Sequence, residues 1–333
     1  MILADVVAVA MFVGVIAYAV LGGADFGSGF YDLTAGGGLR GAELRTRIDH
    51  SLGPVWEANH VWLIYVLVMW WTGFPVAFAA AMTTLFVPLM LALTGIVLRG
   101  AGFAFRKYAE TLSQARLFGA IFAASSLITP FFLGTVAGAI ASGRVPASGY
   151  GDSIGSMINP TSLVGGCLAV TTSVFLAGVY LTADADRARD PGLAERLRVR
   201  TLVVGAAAGI IVFAGLFPIL HDARTLSRGL LGAALPLVVV AALAGVITLV
   251  LLYRRSFSVA RITAAAAVVC VVAGWGVGQY PWLLVDQITI TAAAGAKATL
   301  IGLVVVIALA VVIVLPALAY LLRLTQTEKW SRT

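Results

Sequence analysis

Charged residues are what this chain has least of. Only 11% of its 333 residues are Asp, Glu, Lys or Arg, and 61% are hydrophobic. A soluble domain carries about 25% charged residues. That shortage, with a mean hydropathy of +1.01, excludes a soluble globular protein. Cysteine is nearly absent: Cys167 and Cys270 each sit in an apolar run and no Cys-x-x-Cys occurs. Cysteine therefore gives no support for an iron–sulfur or structural zinc site, and both residues read as small buried hydrophobes rather than a disulfide. Histidine occurs three times, at His50, His60 and His221. No Lys or Arg precedes Arg40, so the positive n-region of a cleavable signal is missing and the first apolar run is expected to stay as a span. There is no nucleotide-binding loop, no low-complexity tail and no linker of disordered composition. One transmembrane domain over 1–333 is the expectation.

Long apolar runs are present in number. A spanning helix needs about 20 apolar residues, and the sequence offers nine such runs: 3–24, 52–72, 75–98, 115–141, 158–182, 200–220, 230–253, 259–278 and 298–323. Phe26, Phe30 and Leu33 keep helical spacing and extend the first run. Spans two and three are joined by Gly73-Phe74-Pro75 alone, which predicts a tight antiparallel pair. Asn159-Pro160 reads as a helix start, Asn capping and Pro in the first turn. The fold class expected is an all-α polytopic bundle of about nine spans.

The net charge of +7 does not indicate nucleic acid, because basic residues of membrane proteins collect in cytoplasmic loops. Counted by loop, 18 of the 22 Lys and Arg residues follow odd-numbered spans, Arg99, Arg106, Lys107 and Arg116 after the third among them. The N-terminus is expected outside and the C-terminus in the cytoplasm. The outer loops then fall at 142–157, 221–229 and 279–297.

Function concentrates where polar groups enter apolar runs, since ionisable side chains at membrane depth are costly. The main stretch is Gly53-Pro54-Val55-Trp56-Glu57-Ala58-Asn59-His60-Val61-Trp62. Glu57 and His60 are three apart and share a helix face. A di-iron site needs two Glu-x-x-His motifs and further glutamates, and one copy occurs here. His50 and His221 lie at or beyond span ends on opposite sides, so no pair of buried histidines could hold a haem between them. His60 then reads as a hydrogen-bonded interior histidine or as the sole ligand of a haem. Glu57 reads either as a cap of free amides near Pro54 or as a proton-handling carboxyl near the cytoplasmic surface. Asp25 lies in Gly23-Ala24-Asp25-Phe26-Gly27-Ser28-Gly29, where Gly23-x-x-x-Gly27 permits close helix approach. It is either a solvated residue beside a packing motif or the inner mouth of a proton path.

The stretch 53–64 and the glycine motif around Asp25 resemble subunit II of cytochrome bd-type quinol oxidases. Leu98-Arg99-Gly100-Ala101-Gly102-Phe103-Ala104-Phe105-Arg106 looks like that family's close of span three, and Asn159-Pro160 matches its fifth span. The resemblance implies a non-haem subunit of a two-subunit oxidase of the bacterial inner membrane. The complex would oxidise quinol, reduce dioxygen to water and charge the membrane, and this chain alone would have no activity. No cofactor is implied here; two b-type haems and one d-type haem would belong to subunit I, the partner, which would also bind quinol. By the resemblance, small single-span subunits and membrane lipid would be further partners. By the resemblance Glu57, where many members have Asp, is a proton-path carboxylate, and Asp25 a candidate proton entry. His60 and Asn59 would support the path. Trp62, with Trp56 beside it, would line an oxygen path at the subunit interface. The rival classes are a proton-coupled secondary transporter or channel, which would call for inverted repeats and matching broken helices, and a haem-binding membrane cytochrome.

Overall fold

A computed structural model describes residues 2–52 and 56–325; the side chains at 38–40, 52, 56–58, 315, 318 and 321–325 lie outside the described part. Eight of the described helices are long and apolar enough to cross a membrane, and a bent pair makes a ninth unit. The chain is a multi-pass membrane protein.

The first span runs unbroken over 2–33: α1 (Ile2–Ala17), a π-helical turn (Tyr18–Gly22) and α2 (Gly23–Leu33). The extension to Leu33 is as the spacing predicts. Next comes α3 (Gly38–Leu52), a helix where the sequence reading had only a loop. Its Leu44 and Ile48, one turn apart, are buried, while Glu43 and Arg45 face outward and bind partners.

Helix α4 (Trp56–Gly73) and α5 (Pro75–Thr84) meet at a 120° bend, set by Phe74 in a non-helical conformation and Pro75 at the first helical position. The expected third span is not one helix. It breaks at Leu85 into α5 and α6 (Phe86–Arg106), and α6 runs eight residues beyond the predicted end. Pro88 explains the break, because proline has no N–H for the Thr84 carbonyl and its ring crowds that carbonyl. The Thr84 hydroxyl meets the 142–157 loop there, donating to the Gly149 carbonyl at 3.2 Å and accepting from the Gly151 N–H at 3.3 Å.

The remaining long helices are α7 (Leu112–Ala141), α8 (Pro160–Arg187) and α9 (Pro191–Asp222). Thr111 and Gln114 form a reciprocal capping box on α7. The Asn159 side chain accepts from Ser162 N–H at 2.9 Å to cap α8, as the Asn-Pro pair predicts. The expected loop at 221–229 is instead the end of α9 followed by α10 (Arg224–Leu231). Then come α11 (Leu235–Tyr253) and α12 (Phe257–Gln279), a two-stranded antiparallel hairpin of β1 (Trp282–Leu284) and β2 (Ile288–Thr289), α13 (Ile290–Ala293) and α14 (Lys297–Thr325). Hairpin and α13 occupy what the sequence read as a plain outer loop.

Contacts group the connections as the charge count expects. Arg144 pairs with Asp222, Thr225 donates to Asp286 and Gly295 N–H donates to the Gly73 carbonyl; these define the hairpin end. At the other, basic end, Glu43 pairs with Arg196, and Asp184 receives Ser51 and Arg261. Helix α2 lies inside, against α7 and α8. By contrast α9, α11 and α14 are mostly open apolar surface. Cys167 is exposed on α8 and Cys270 half-buried on α12. This corrects the expectation of two buried cysteines, since apolar surface facing lipid needs no burial by protein.

Candidate functional site

Glycines bring α2 against its neighbours. A Cβ on Gly27 would overlap the Ser173 carbonyl of α8, and one on Gly29 would overlap the Ser126 side chain of α7. At such closeness a short side chain on α2 is enclosed. Asp25 is 2% exposed, which removes the solvated reading of this residue.

The partner of Asp25 is Arg99, itself 1% exposed. Its Nη2 donates to Asp25 Oδ1 at 2.7 Å and to the Asp25 carbonyl at 3.2 Å, and its Nε donates to Ser126 Oγ at 3.0 Å. The Ser126 hydroxyl in turn donates to the Phe122 carbonyl at 2.6 Å. The guanidinium lies over the Phe26 and Phe122 rings, 5.1 and 4.9 Å from their centroids. A buried charge survives when it is paired and hydrogen-bonded, and Arg99 is both.

Arg99 corrects the sequence reading. The sequence places it in the loop after the third span, among the cytoplasmic cations, yet it stands seven residues inside the end of α6, roughly 10 Å along the axis from Arg106. One of the 18 residues in the loop count is therefore an interior charge. The same spacing recurs on α2. Asp25 and Asp32 are two turns apart, and Arg106 pairs with Asp32 in very close contact. The two helices thus carry two ionic rungs, Asp25–Arg99 inside and Asp32–Arg106 at the basic end. The Phe122 ring lies between both guanidinium groups, 5.6 Å from Arg106. The outer rung continues through Arg45 to Asp32 at 2.9 Å and Arg106 to Asp49 at 2.7 Å. Burial pushes the Asp49 carboxyl above its ordinary value, and the Arg106 charge opposes that shift. The matched spacing Asp-x6-Asp and Arg-x6-Arg was present in the sequence as a signal.

Asp25 has a second face. Its Oδ2 has no hydrogen-bond partner among the described residues, and neither has the buried hydroxyl of Tyr18. Tyr18 begins the π-helical turn, and a Cβ on Gly22 would lie 3.0 Å from its ring. Glycine there makes room for Tyr18 to turn inward. Such π-helical turns are frequent at functional sites. The Tyr18 ring is edge-on to Phe26 at 6.2 Å, and the His60 ring is 6.2 Å from Tyr18 and 5.9 Å from Phe26. The structure therefore brings His60 of α4 to the group around Asp25. Asn59 is buried beside it in sequence.

Trp62 is not in this group. It is half-buried on α4 and edge-on to Tyr65 at 6.3 Å, whose hydroxyl donates to the Ala10 carbonyl at 3.1 Å. Glu57 and Trp56 are in the first turn of α4 by backbone, and their side chains lie outside the described residues, as do residues 53–55 entirely. The histidines are well apart: His50 is exposed on α3 at the basic end and His221 exposed on α9 at the hairpin end, so neither faces His60. No group of three or more His, Cys, Asp or Glu suited to a metal ion occurs among the described residues.

A family model described as cytochrome bd terminal oxidase subunit II matches residues 3–325. Cytochrome bd-I ubiquinol oxidase subunit 2 of Escherichia coli (strain K12) is 28% identical over 211 residues, which cover 60% of this chain and 55% of that protein. Cytochrome bd ubiquinol oxidase subunit 2 of Bacillus subtilis (strain 168) is 31% identical over 127 residues, covering 38% of this chain and 36% of that protein. The matched region thus spans about half the length of the first relative and about a third of the second. A solved structure of the bd oxidase from Geobacillus thermodenitrificans contains a chain that superposes with a TM-score of 0.77 at 23% identity, covering 99% of this chain and 100% of that one. At that identity the likeness is one of fold.

Proposed function

Because the chain belongs to the cytochrome bd terminal oxidase subunit II family, we propose that it is the non-haem subunit of a quinol-oxidising, dioxygen-reducing complex of the bacterial plasma membrane. It acts there as one transmembrane unit, with its basic end toward the cytoplasm. The haems, two b-type and one d-type, reside in a partner subunit I, which also receives quinol. Small single-span subunits complete the assembly. What this chain supplies is support for that partner and a proton lane from the cytoplasmic side. Turnover charges the membrane, because protons for water formation enter from the inside while quinol releases its own outside.

The observation that carries this reading is the unpartnered Oδ2 of a fully buried carboxylate. A lone acceptor in such a place is expensive unless water reaches it. Polar groups step inward toward it from the basic end: Asp49 and Arg106, then Asp32, then Arg99 and Asp25. Tyr18 adds a hydroxyl of the same kind. His60 and Asn59 place α4 beside the group, one turn on from Glu57. In this reading Glu57 loads protons near the entrance. Arg99 holds Asp25 through Oδ1, and Oδ2 orients the water that relays them. Trp62 and Trp56 line an oxygen path where α4 faces the partner.

The test uses the assembled complex. Glu57→Gln is expected to lower quinol-oxidase turnover by about tenfold, or about 1.4 kcal/mol in the barrier, with the haem spectrum of the complex unchanged. Turnover equal to wild type at full haem content rejects the role of Glu57.

A further inference from the structure

A pocket of about 130 Å³ opens at the basic end between α3 and α9. A single water needs about 10–15 Å³ of such space, so the pocket admits several waters or one tetrahedral oxyanion. Its floor is apolar: Ala35, Leu44, Leu193 and Leu197. Its rim is cationic, with Arg196 and Arg200, one helical turn apart on the same face of α9. Glu43 holds Arg196 through one contact of 2.5 Å, which uses one of the five donors of a guanidinium. Arg200 is exposed and has no carboxylate within ion-pair distance among the described residues. Nothing on the wall neutralises it.

The position of the pocket says what would. From Thr201 onward α9 is apolar and mostly open to the surroundings. Val203, Ala207 and Ile210 are exposed above Arg200 at spacings of three, seven and ten, a continuous stripe on one helix face. Arg200 therefore stands where the hydrocarbon layer begins, a phosphate-sized cationic recess lies beneath it, and an apolar lane rises from it. A free anion would use the recess and leave the lane empty. A phospholipid with a net negative headgroup uses both, and basic pockets between spanning helices are suited to such headgroups. Arginine also matches phosphate oxygens in bidentate fashion.

We propose that this α3–α9 pocket is a binding site for one anionic phospholipid, phosphatidylglycerol in type, with its phosphate between Arg196 and Arg200 and one acyl chain along Val203, Ala207 and Ile210. The site shares no residue with the proton lane, and its test in the assembled complex rests on the function proposed above. It would also brace α3 against α9 through Leu44 and Leu193, which are buried together.

The test is lipid retention by the purified whole complex. Delipidated protein in detergent is titrated with phosphatidylglycerol, phosphatidylcholine or inorganic phosphate, and bound copies are counted by native mass spectrometry. One phosphatidylglycerol is expected to bind more tightly than phosphatidylcholine. Arg200→Gln is expected to weaken it about fivefold, Arg196→Gln/Arg200→Gln further, and Arg200→Lys less than Arg200→Gln. Arg200 is at the surface, so thermal unfolding in phosphatidylcholine should match wild type. Retention of phosphatidylglycerol unchanged in Arg200→Gln overturns the proposal. So does inorganic phosphate displacing the lipid at equal concentration, which would make this a site for the free anion. Equal binding of phosphatidylcholine overturns it as well, by removing the charge requirement.

Discussion

Arg99→Met is expected to destabilise the protein by about 3–5 kcal/mol, the cost of leaving a buried charge without its partner. The orphan is Asp25, which would keep the Ser28 hydroxyl on its carbonyl at 2.6 Å and, among the described residues, no partner on its carboxylate. Ser126 would lose the donor to its hydroxyl, and Phe26 and Phe122 the cation over their faces. Asp25→Leu alone should be as damaging, because it strands the guanidinium. The double variant Asp25→Leu/Arg99→Met removes both charges and restores apolar packing, so most of the stability should return. The thermal midpoint and the yield of assembled complex read this directly. Turnover separates structure from proton handling: a stable double variant that still turns over at the wild-type rate would leave the pair a purely structural role. If each single variant were as stable as wild type, the enclosed ion pair would not anchor α2 to α6.

Gly27→Ala should be comparably harmful. The added Cβ would overlap the Ser173 carbonyl and the following peptide nitrogen of α8. Backbone atoms cannot rotate aside as a side-chain tip can, so α2 and α8 must separate. Overpacking of this kind costs about 1–3 kcal/mol, and the upper end is expected here. Separation would also open the walls around Asp25. One turn earlier, Gly23→Ala is the control on the same helix: its Cβ would meet Ser173 Oγ at 3.4 Å, ordinary contact, and should be tolerated. Equal thermal midpoints for the two variants would show that the α2–α8 crossing is looser than the structure has it.

Local patterns in the sequence carried a good part of the fold. The Asn159-Pro160 start of α8 depends on a hydrogen bond to a residue three positions away, and the run past Gly22 to Leu33 on helical spacing alone. Both were legible because their causes lie within one turn of helix. The failures have a common cause of another kind. Helix α3 is polar enough to pass for a loop until Leu44 and Ile48 find the inner core. The break at Leu85 needed Pro88 to be weighed against an otherwise continuous apolar run. The β1–β2 hairpin is two short pairings within a segment of mixed composition. In each case a weak local preference is decided by what the segment packs upon.

The site divides in the same way. Composition and the placing of Lys and Arg determined a multi-span helical membrane protein with one basic end, because transfer from water to hydrocarbon is a property of each run by itself. The residue types in the second span and the glycines around Asp25 determined the resemblance to the oxidase subunit. Only the tertiary structure decided that Arg99 is an interior residue. Seen along the chain it is one more cation near a span end, equally able to reach water. Its place depends on a carboxylate 74 positions away, enclosed by glycines that let three helices close around it, and pairing with Asp25 at 2.7 Å offsets the burial that sequence alone gives no reason to accept.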